Sequence, residues 1–375
     1  MRSDFLLDPD VIFLNHGSFG ACPKPVFEKY QAWQLELERQ PVEFLGRRYD
    51  GLMTEAAQSL AAYVGTSAEN LVFVPNATVG LNTIARAIDL QSGDEVLTTT
   101  HEYGALEMTW RHVAYQTGAT IVERAIPLPL QDEDAITEAF FTGLSERTKV
   151  IFLSHITSPT ALILPVRKIA QLARDLGILT VIDGAHVPGQ LELNLDELGV
   201  DFYSGNLHKW LCAPKGSAFY YARPEHHDLI QPLVVSWGWA EESLVDRTRW
   251  QGTRDIASYL TVPDAIRYQQ EHNWDQLRQE CHELAIYAMH RLCEVTGLPP
   301  IAMPRFFAQM IVAPLPAGLD YEALKSRLYD EYHIEVPITK QGISRNFIRV
   351  SIQAYNTRAD VDALVKALEE ILRDE

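Results

Sequence analysis

The chain has 375 residues, more than the ~250–300 at which a single hydrophobic core usually stops growing, so we expect more than one domain. Its 47% hydrophobic and 22% charged residues are typical of a water-soluble globular protein. The net charge of −18 argues against a protein that binds nucleic acid and favours one that acts on small molecules.

The cysteines and the start of the chain indicate which stabilising bonds and which cellular location to expect. Cys22, Cys212, Cys281 and Cys293 are far apart and form no C-x-x-C pair, so we expect neither a disulfide framework nor a metal site. The opening "MRSDFLLDPD" lacks the apolar segment of a cleavable signal, and no run approaches the ~18 apolar residues of a membrane span. These features predict a cytoplasmic protein with no membrane partner.

From about residue 70, short apolar segments alternate with amphipathic ones. In chain order, the predicted strands are "NLVFVP", "DEVLTTT", "ATIVERAI", "TKVIFLSHI", "ILTVIDGA", "VDFYSGN" and "SAFYYAR". Helices are predicted between them at "ATVGLNTIARAI", "EYGALEMTWRHVAYQTG" and "PVRKIAQLARDLG". This alternation predicts βαβ units and an α/β fold with a mostly parallel sheet.

The pattern changes after about residue 260. A long helical stretch (263–295) is followed by the strand-like segments "QMIVAPLP", "IEVPI" and "NFIRVSI", with helices at "YEALKSRLYDEY" and from Arg358 onward. We therefore predict an N-terminal segment at 1–20 that contributes to the active site, a large domain at 21–262 and a smaller α+β domain at 263–375.

Polar residues follow three of the predicted strands, where open α/β sheets bind ligands. The first group is "PNATVG", in which Asn76 or Thr78 can cap a helix whose N-terminus suits an anion. The second is Asp183 in "VIDGAH", and the third is "SGNLHKWLCAPKGSAF" with Lys209 among apolar neighbours. Taken singly, these are equally compatible with a plain helix cap, an Asp that caps a turn and a surface lysine.

The order of the three groups favours one cofactor, pyridoxal phosphate. Its phosphate binds a helix N-terminus, its pyridine nitrogen pairs with a carboxylate, and its aldehyde forms a Schiff base with a lysine. The chain contains no G-x-x-x-x-G-K-[ST], G-x-G-x-x-G, H-E-x-x-H or G-x-S-x-G motif that would favour a competing chemistry.

With these residues in place, the chain resembles the class V aminotransferase family of fold-type I pyridoxal-phosphate enzymes over nearly its whole length. The segments "FLNHGSFGACPKPV" and "HKWLCAPKGSAF" resemble its isopenicillin N epimerase branch, of which ergothioneine-pathway C–S lyases are near neighbours. The resemblance implies a large domain with a mostly parallel, seven-stranded type of sheet, a smaller α+β C-terminal domain and a homodimer with shared active sites.

The resemblance also implies roles for individual residues. Lys209 would form the Schiff base and move the Cα proton, Asp183 would pair with the pyridine nitrogen, and His186 would lie near the phenolic oxygen. Tyr103 in "THEYGA" would stack on the pyridine ring, unless it is an ordinary aromatic at a helix cap. The phosphate would be held by Ala77, Thr78, Asn206 and His208, and Gly252 and Thr253 of "WQGTRD" would extend to the partner subunit's phosphate.

Further residues would bind the substrate. In "NFIRVSIQAYNT", Arg349 would bind the substrate carboxylate in a bidentate manner, with Arg345 as the less favoured choice. Asn15 and His16 would approach the substrate from the N-terminal segment.

Two departures from the family pattern are informative. Cysteine desulfurases carry a nucleophilic cysteine shortly before the carboxylate-binding arginine, whereas the loop here reads "TKQGISRN". We therefore predict that the chain is not a desulfurase. The segment "HITSPTA" has no asparagine at the position where desulfurases place one, so either Ser158 or Thr160 contacts the cofactor in its place or that contact is not made.

These residues predict an enzyme that removes the Cα proton of an amino acid and leave several outcomes open. We favour an epimerase or racemase, in which Tyr103 or His16 would supply the second acid. A C–S lyase of a cysteine conjugate or sulfoxide is nearly as well supported, and an aminotransferase and a cofactor-free binding protein on the same fold are further alternatives.

Overall fold

The computed structural model describes residues 1–341 and 345–374, with the backbone alone described at residue 345. The strands are β1 Ile12–Phe13, β2 Leu71–Val74, β3 Glu95–Thr99, β4 Thr120–Arg124, β5 Thr148–Ser154, β6 Leu179–Asp183, β7 Phe202–Asn206, β8 Ala218–Ala222, β9 Met310–Pro314, β10 Ile334–Glu335, β11 Ile338–Gln341 and β12 Arg345–Ser351.

The α-helices are α1 His16–Phe19, α2 Lys24–Arg39, α3 Pro41–Glu43, α4 Tyr49–Val64, α5 Ala77–Ala87, α6 Gly104–Thr117, α7 Glu133–Phe141, α8 Val166–Asp175, α9 Leu195–Leu198, α10 Leu244–Arg249, α11 Ala257–Leu260, α12 Val262–Glu271, α13 Trp274–Thr296, α14 Tyr321–Asp330 and α15 Arg358–Asp374. Short 3-10 turns lie at Arg2–Asp4, Ala68–Asn70, Pro224–Leu229 and Pro304–Phe306, and a π-helical turn at Phe44–Arg48.

The main sheet has seven strands in the order β2-β8-β7-β6-β5-β3-β4. All neighbouring pairs are parallel except those that involve β8, which runs antiparallel to both β2 and β7. The predicted α/β class with a mostly parallel sheet is therefore confirmed. β8 was predicted as a strand without a direction, because a buried strand has the same apolar pattern in either direction.

Successive residues of the central strands belong to two different hydrophobic cores. Val150 and Phe152 of β5 pack in the core that includes α5 and α6, whereas Ile151 and Leu153 pack in the core that includes α4 and α8. Neighbouring side chains of a strand point to opposite faces. Helices cover both faces of the sheet, so the middle of β5 and of β6 is apolar on both faces, as in "VIFL" and "VI".

The C-terminal part of the chain forms a three-stranded antiparallel sheet in the order β11-β12-β9. The helical stretch predicted at 263–295 is two helices, because the chain between α12 and α13 passes through Asn273 in a left-handed conformation with φ 48°. The segment "IEVPI" also divides, since β10 pairs with β1 of the N-terminal segment rather than with the small sheet.

The N-terminal segment is thus held by the C-terminal part of the chain. Besides the β1–β10 pairing, the N–H of Ser351 donates to the carbonyl of Leu14.

None of the helices described is long and apolar enough to cross a bilayer. The domain boundaries at residues 20 and 262 stay predictions.

Candidate active site

One cavity of about 360 Å³ opens at the edge of the sheet where β3, β6 and β7 end and α5 begins. Asp183 and Ser204 are in register on neighbouring parallel strands, so the chain that follows each strand leaves at the same edge. Ten of the residues named as candidates from the sequence line this cavity: Asn76, Ala77, Thr78, Tyr103, Ser158, Asp183, His186, Asn206, His208 and Lys209.

Lys209 is partly buried, and its Nζ lies 3.2 Å from Nε2 of His186. Burial lowers the pKa of Lys209 to about 7, the charge of Arg349 acts in the same direction, and Asp183 opposes both. A lysine with a pKa near neutrality is available as the free amine, which is the form that attacks an aldehyde.

Asp183 is 4% exposed, and its Oδ1 accepts a hydrogen bond of 2.8 Å from the N–H of Ala185. No other donor among the described residues bonds this carboxyl group. Burial raises the pKa of Asp183 to about 6, against the Ala185 hydrogen bond and the charge of Lys209. A buried carboxyl group with one neutral partner is suited to receive a protonated nitrogen from a ligand.

The N-terminus of α5 supplies backbone donors at the other end of the cavity. The Asn76 side chain accepts from the N–H of Val79, and Asn206 Oδ1 accepts from the N–H of Ala77 at 2.8 Å. Neither side chain takes the N–H of Thr78, which lines the cavity. This N–H and the helix dipole make the position a site for a phosphate group.

Two basic side chains lie at the same end. His208 donates through Nδ1 to the carbonyl of Ser217, and burial lowers its pKa to about 4. Lys215 also lines the cavity, and its Nζ donates to the carbonyl of Gly20 at 2.9 Å. Burial lowers the pKa of Lys215 as well. An anion bound between these groups would offset the cost of burying them.

Arg349 does not line the cavity itself but contacts two residues that do. Its guanidinium donates to the Ser158 carbonyl at 2.8 Å, to Ser158 Oγ at 3.2 Å and to Ser18 Oγ at 3.0 Å, and both serines line the cavity. Its Nε has no partner among the described residues, and burial lowers its pKa to about 10. A buried guanidinium with only neutral partners favours a carboxylate ligand.

The N-terminal segment reaches the cavity through different residues from those predicted. His16 is fully buried, donates through Nε2 to the Lys209 carbonyl at 3.0 Å and accepts from the Tyr355 hydroxyl at 2.9 Å. Burial lowers the pKa of His16 to about 3. Because both ring nitrogens face the protein interior, His16 is not placed to approach a substrate or to act as an acid.

Asn15 also lies behind the wall of the cavity. Its side chain donates to Glu335 Oε1 at 2.9 Å and accepts from the Ser18 hydroxyl. Ser18 and Phe19, from the same "NHGSFG" segment, are the residues that line the cavity. The predicted segment therefore reaches the cavity through Ser18 and Phe19, and its role in the active site stays a prediction. Asn15 and His16 point away from the cavity, toward partners that include Glu335 and Tyr355, each more than 300 residues later in the chain.

The remaining predicted residues divide into those that line the cavity and those that do not. Tyr103 precedes α6 and is 46% exposed at the cavity. Of the two alternatives in "HITSPTA", Ser158 lines the cavity, whereas Thr160 is buried and bonded to His101 and Thr157. Gly252 and Thr253 follow α10 and do not line this cavity.

Part of the predicted loop "TKQGISRN" lies outside the described residues, at 342–344, as does the side chain of Arg345. The cavity residues that the sequence analysis missed are chiefly Lys215, Ser18 and Phe19. Lys215 could have been found, because it lies only six positions after Lys209 in the same inter-strand loop. Among the described residues, no cluster of His, Cys, Asp and Glu is arranged to hold a metal ion.

The residues of the cavity fit pyridoxal phosphate. An amine with a lowered pKa, a buried carboxyl group with a single neutral partner and a helix N-terminus beside basic side chains line one space. These groups match the aldehyde, the pyridine nitrogen and the phosphate of that cofactor.

Comparison with known proteins agrees with this site. The sequence profile of the aminotransferase class-V family matches residues 21–364. The isopenicillin N epimerase of Amycolatopsis lactamdurans is 34% identical, and the match covers 99% of this chain and 97% of that protein. A probable chloroplastic L-cysteine desulfhydrase of Arabidopsis thaliana is 28% identical over 98% of this chain and 84% of its own length.

Solved structures show the same fold. A cysteine desulfurase from Thermococcus onnurineus superposes with a TM-score of 0.86 at 22% identity, over 100% of this chain and 98% of that one. A variant of the protein C-DES, solved with glycine covalently linked to its pyridoxal-phosphate cofactor, superposes with a TM-score of 0.88 at 20% identity, over 99% of both chains. The chain belongs to the aminotransferase class-V family of pyridoxal-phosphate enzymes, as its motifs predicted.

Proposed function

We propose that this protein is an epimerase or racemase that acts at the Cα of an amino acid. The observation that carries this proposal is the shared cavity of Lys209 and Asp183, with the buried cation Arg349 behind its wall. Pyridoxal phosphate, when bound, supplies an aldehyde that condenses with an amine and a ring that withdraws electrons from Cα.

The residues of the cavity and Arg349 would bind the cofactor and the substrate and would move the Cα proton. Lys209 would hold the cofactor and would take the Cα proton as a free amine. Asp183 stays ionised against the pyridine nitrogen, and Thr78 and His208 bind the phosphate. Arg349 exchanges its bonds to Ser18 and Ser158 for a bidentate pair with the substrate carboxylate, which orients Cα.

Two features support an epimerase. One is the 34% identity to the A. lactamdurans isopenicillin N epimerase over nearly the full length of both proteins. The other is that two of the cavity's proton-carrying side chains come from different strands: Lys209 follows β7, and Tyr103 follows β3, which lies beyond β6 and β5 in the sheet. Inversion at Cα needs one group to remove the proton and another to return it.

The cysteines favour the exclusion of desulfurase chemistry, which needs a reactive thiolate. Burial raises the pKa of Cys22 and Cys281 to about 12, that of Cys293 to about 11, and that of Cys212 higher still. None of these four residues, all of which are described, lines the cavity. We therefore propose that the fold shared with desulfurases is not accompanied by their persulfide step.

A C–S lyase is the second candidate, and a specific observation favours it. An L-cysteine desulfhydrase of Arabidopsis thaliana is 28% identical, and two putative L-cysteine desulfhydrases of rice are 27% and 29% identical. A hercynylcysteine sulfoxide lyase of Schizosaccharomyces pombe is 24% identical over 81% of this chain. Both reactions begin with removal of the same Cα proton, so Lys209, Asp183 and Arg349 would serve either one.

Product analysis in D₂O separates these outcomes. The holoenzyme is incubated with L-amino acids, cysteine conjugates and their sulfoxides, and followed by proton NMR and chiral chromatography. Exchange of the Cα proton with an intact side chain and formation of the D-isomer support the epimerase. Release of pyruvate and ammonia identifies a C–S lyase, and a 2-oxo acid formed with loss of the visible colour identifies an aminotransferase. Protein that stays colourless with added pyridoxal phosphate overturns the proposal.

We also propose a homodimer with shared active sites, in which Gly252 and Thr253 extend to the partner subunit's phosphate. The exposed aromatic side chains of Trp237 and Trp239, 82% and 57% accessible, lie in the segment that precedes α10 and support an interface there.

A further inference from the structure

A buried tryptophan restricts the protonation of His186. Trp210 is completely buried, and its Nε1 donates to Nδ1 of His186 at 3.2 Å. An indole N–H can only donate, so Nδ1 of His186 must present its lone pair. A neutral imidazole in this arrangement carries its hydrogen on Nε2. A doubly protonated imidazole would have no lone pair for Trp210.

The other nitrogen of His186 faces the lysine of the active site. Nε2 lies 3.2 Å from Nζ of Lys209, and both residues line the cavity. An Nε2–H group needs an acceptor. The free amine of Lys209 has one lone pair to offer, whereas its ammonium form has only donors. The chain Trp210 to His186 to Lys209 therefore has a consistent set of donors and acceptors only when Lys209 is neutral.

We propose that Trp210 is a positioning residue whose N–H fixes His186 as the Nε2–H tautomer and thereby holds Lys209 as the free amine. This inference rests on the proposed role of Lys209 as the residue that carries the cofactor. Without the indole N–H, His186 can adopt the opposite tautomer, whose Nε2 lone pair accepts a hydrogen bond from an ammonium. That exchange would favour the protonated form of Lys209.

The surroundings prevent the indole from turning away. The Trp210 carbonyl accepts from Gln269 Nε2 at 2.8 Å, and the His16 ring lies 5.0 Å from the indole ring, measured between centroids. A Cβ at Gly189 would come within 2.2 Å of the Trp210 backbone, so this part of the chain is tightly packed. Trp210 therefore presents its N–H to His186 from a fixed position.

Other charged and titratable groups also face Lys209 and His186. They are Asp183 at the end of β6, Arg349 on β12, His208 in the same loop as Lys209 and His16 in α1. Lys215, in the loop before β8, lines the same cavity. Burial is the main cause of the lowered pKa of His186, followed by the charges of Lys209 and Arg349. All of these groups remain when Trp210 is replaced, so a comparison of variants isolates the indole N–H.

The test is the pH dependence of cofactor attachment. The full-length protein is stripped of its cofactor, pyridoxal phosphate is added, and the growth of visible absorbance gives a rate at each pH. Borohydride reduction and peptide mass spectrometry then locate the label. For Trp210→Phe we expect the midpoint of this profile to rise by about one pH unit. At pH values below the midpoint, the variant should then attach the cofactor roughly tenfold more slowly than the wild type. The ionisation of the added cofactor is common to all variants.

Trp274→Phe is the matched control, because Trp274 is also buried and donates through Nε1, but to the Gly189 carbonyl at 3.2 Å. Its midpoint should equal that of the wild type. In a His186→Phe background, Trp210→Phe should cause no additional shift. A shift of equal size in both backgrounds, or in Trp274→Phe, would mean that Trp210 does not act through His186 and would overturn the inference.

A measurement on the unaltered protein keeps the inference testable if Trp210→Phe fails to fold. Nitrogen-15 NMR of histidine-labelled protein, with His186 assigned from the His186→Phe spectrum, reports the tautomer directly. An Nε2–H tautomer supports the inference and an Nδ1–H tautomer overturns it. Attachment at Lys209 with an unshifted midpoint in folded Trp210→Phe overturns only this inference, whereas no label on Lys209 in the wild type overturns the proposed function as well.

Discussion

Lys209 and Asp183 show how burial prepares single side chains for chemistry. The two groups share a cavity, yet burial lowers the pKa of the lysine to about 7 and raises that of the aspartate to about 6. The charge of each opposes the effect of burial on the other. Before a cofactor binds, each is therefore less fully ionised near neutral pH than the same side chain in water.

Lys209→Ala should abolish turnover and covalent attachment of the cofactor while the fold remains intact. The reason is that the variant removes the amine, whereas the hydrogen bond from the His16 ring to the backbone carbonyl of residue 209 is kept. Turnover and the borohydride-reducible label are measured beside circular dichroism. Measurable turnover in a folded variant would contradict the assignment of Lys209.

Asp183→Asn should stabilise the cofactor-free protein at pH 7 by about 3 kcal/mol. Because the pKa of Asp183 is raised from 3.8 to about 6, the folded state binds more protons than the unfolded state between these values. Stability therefore falls as the pH rises through this window, and the asparagine variant avoids that loss. Denaturant unfolding at pH 4 and pH 7 should show the gain only at the higher pH.

Asp201→Asn is the control of opposite sign. Asp201 is also buried, but its pKa is lowered: burial raises it, and the hydrogen bonds from His226 and Thr180 and the charge of Arg223 outweigh that effect. Its ionised form stabilises the fold above the ordinary carboxyl pKa, so its replacement should destabilise the protein at pH 7. Stabilisation by Asp201→Asn would contradict the electrostatic explanation.

Among the secondary-structure elements, the short helix α1 and the glycine that ends it are the most informative. Gly20 has φ +71°, and a Cβ there would lie 2.0 Å from the His208 carbonyl oxygen. The close approach allows the N-terminal segment to cross the loop of Lys209, where His16 and Lys215 bond across the contact. Glycine is the residue that satisfies both the backbone angle and the distance.

Gly20→Ala should destabilise the protein by at least about 2 kcal/mol and slow cofactor attachment, because the added methyl group displaces the segment from the Lys209 loop. Gly93→Ala is the control: its φ of +93° is equally unsuited to alanine, but nothing lies within 4 Å of the added Cβ. It should cost about 1 kcal/mol and leave attachment unchanged. Equal losses in both variants would mean that the contact with His208 has no importance of its own.

At the scale of the whole molecule, the proposed dimer predicts that mixing two inactive variants should restore part of the activity. If Thr253 serves the partner's site, a mixture of Lys209→Ala and Thr253→Ala chains forms mixed dimers in which one of the two sites has both residues intact. Random assembly then restores about a quarter of the wild-type sites. Subunits are exchanged at low denaturant, and activity is compared with that of the separate variants.

No gain in activity on mixing, despite exchange shown by native mass spectrometry, would place Thr253 in its own subunit's site or outside any site. Trp237→Glu offers an independent check, because Trp237 is 82% exposed in the isolated chain. We expect this variant to sediment as a monomer, since burying a carboxylate at an apolar interface is unfavourable. A dimer of unchanged affinity would move the interface away from this segment.

The local sequence was sufficient for the fold class, the family and the positions of three polar groups that follow strands of the sheet. A buried parallel strand is apolar throughout, and polar residues that follow it must lie at the edge where such sheets bind ligands. Asp183, Lys209 and the N-terminus of α5 could be found for this reason. Each is placed by the strand beside it in sequence, so no distant contact was needed.

Tertiary structure decided the features that depend on distant partners. The sequence indicates that "NHGSFG" approaches the site, but His16 turns inward because Tyr355 and the Lys209 carbonyl bind its ring. Likewise, the direction of β8 depends on its neighbours β2 and β7, and the burial of Arg349 behind Ser18 and Ser158 depends on how the N-terminal segment packs. The direction of a side chain follows from the partners that surround it, and residues far apart in sequence meet only when the chain is folded.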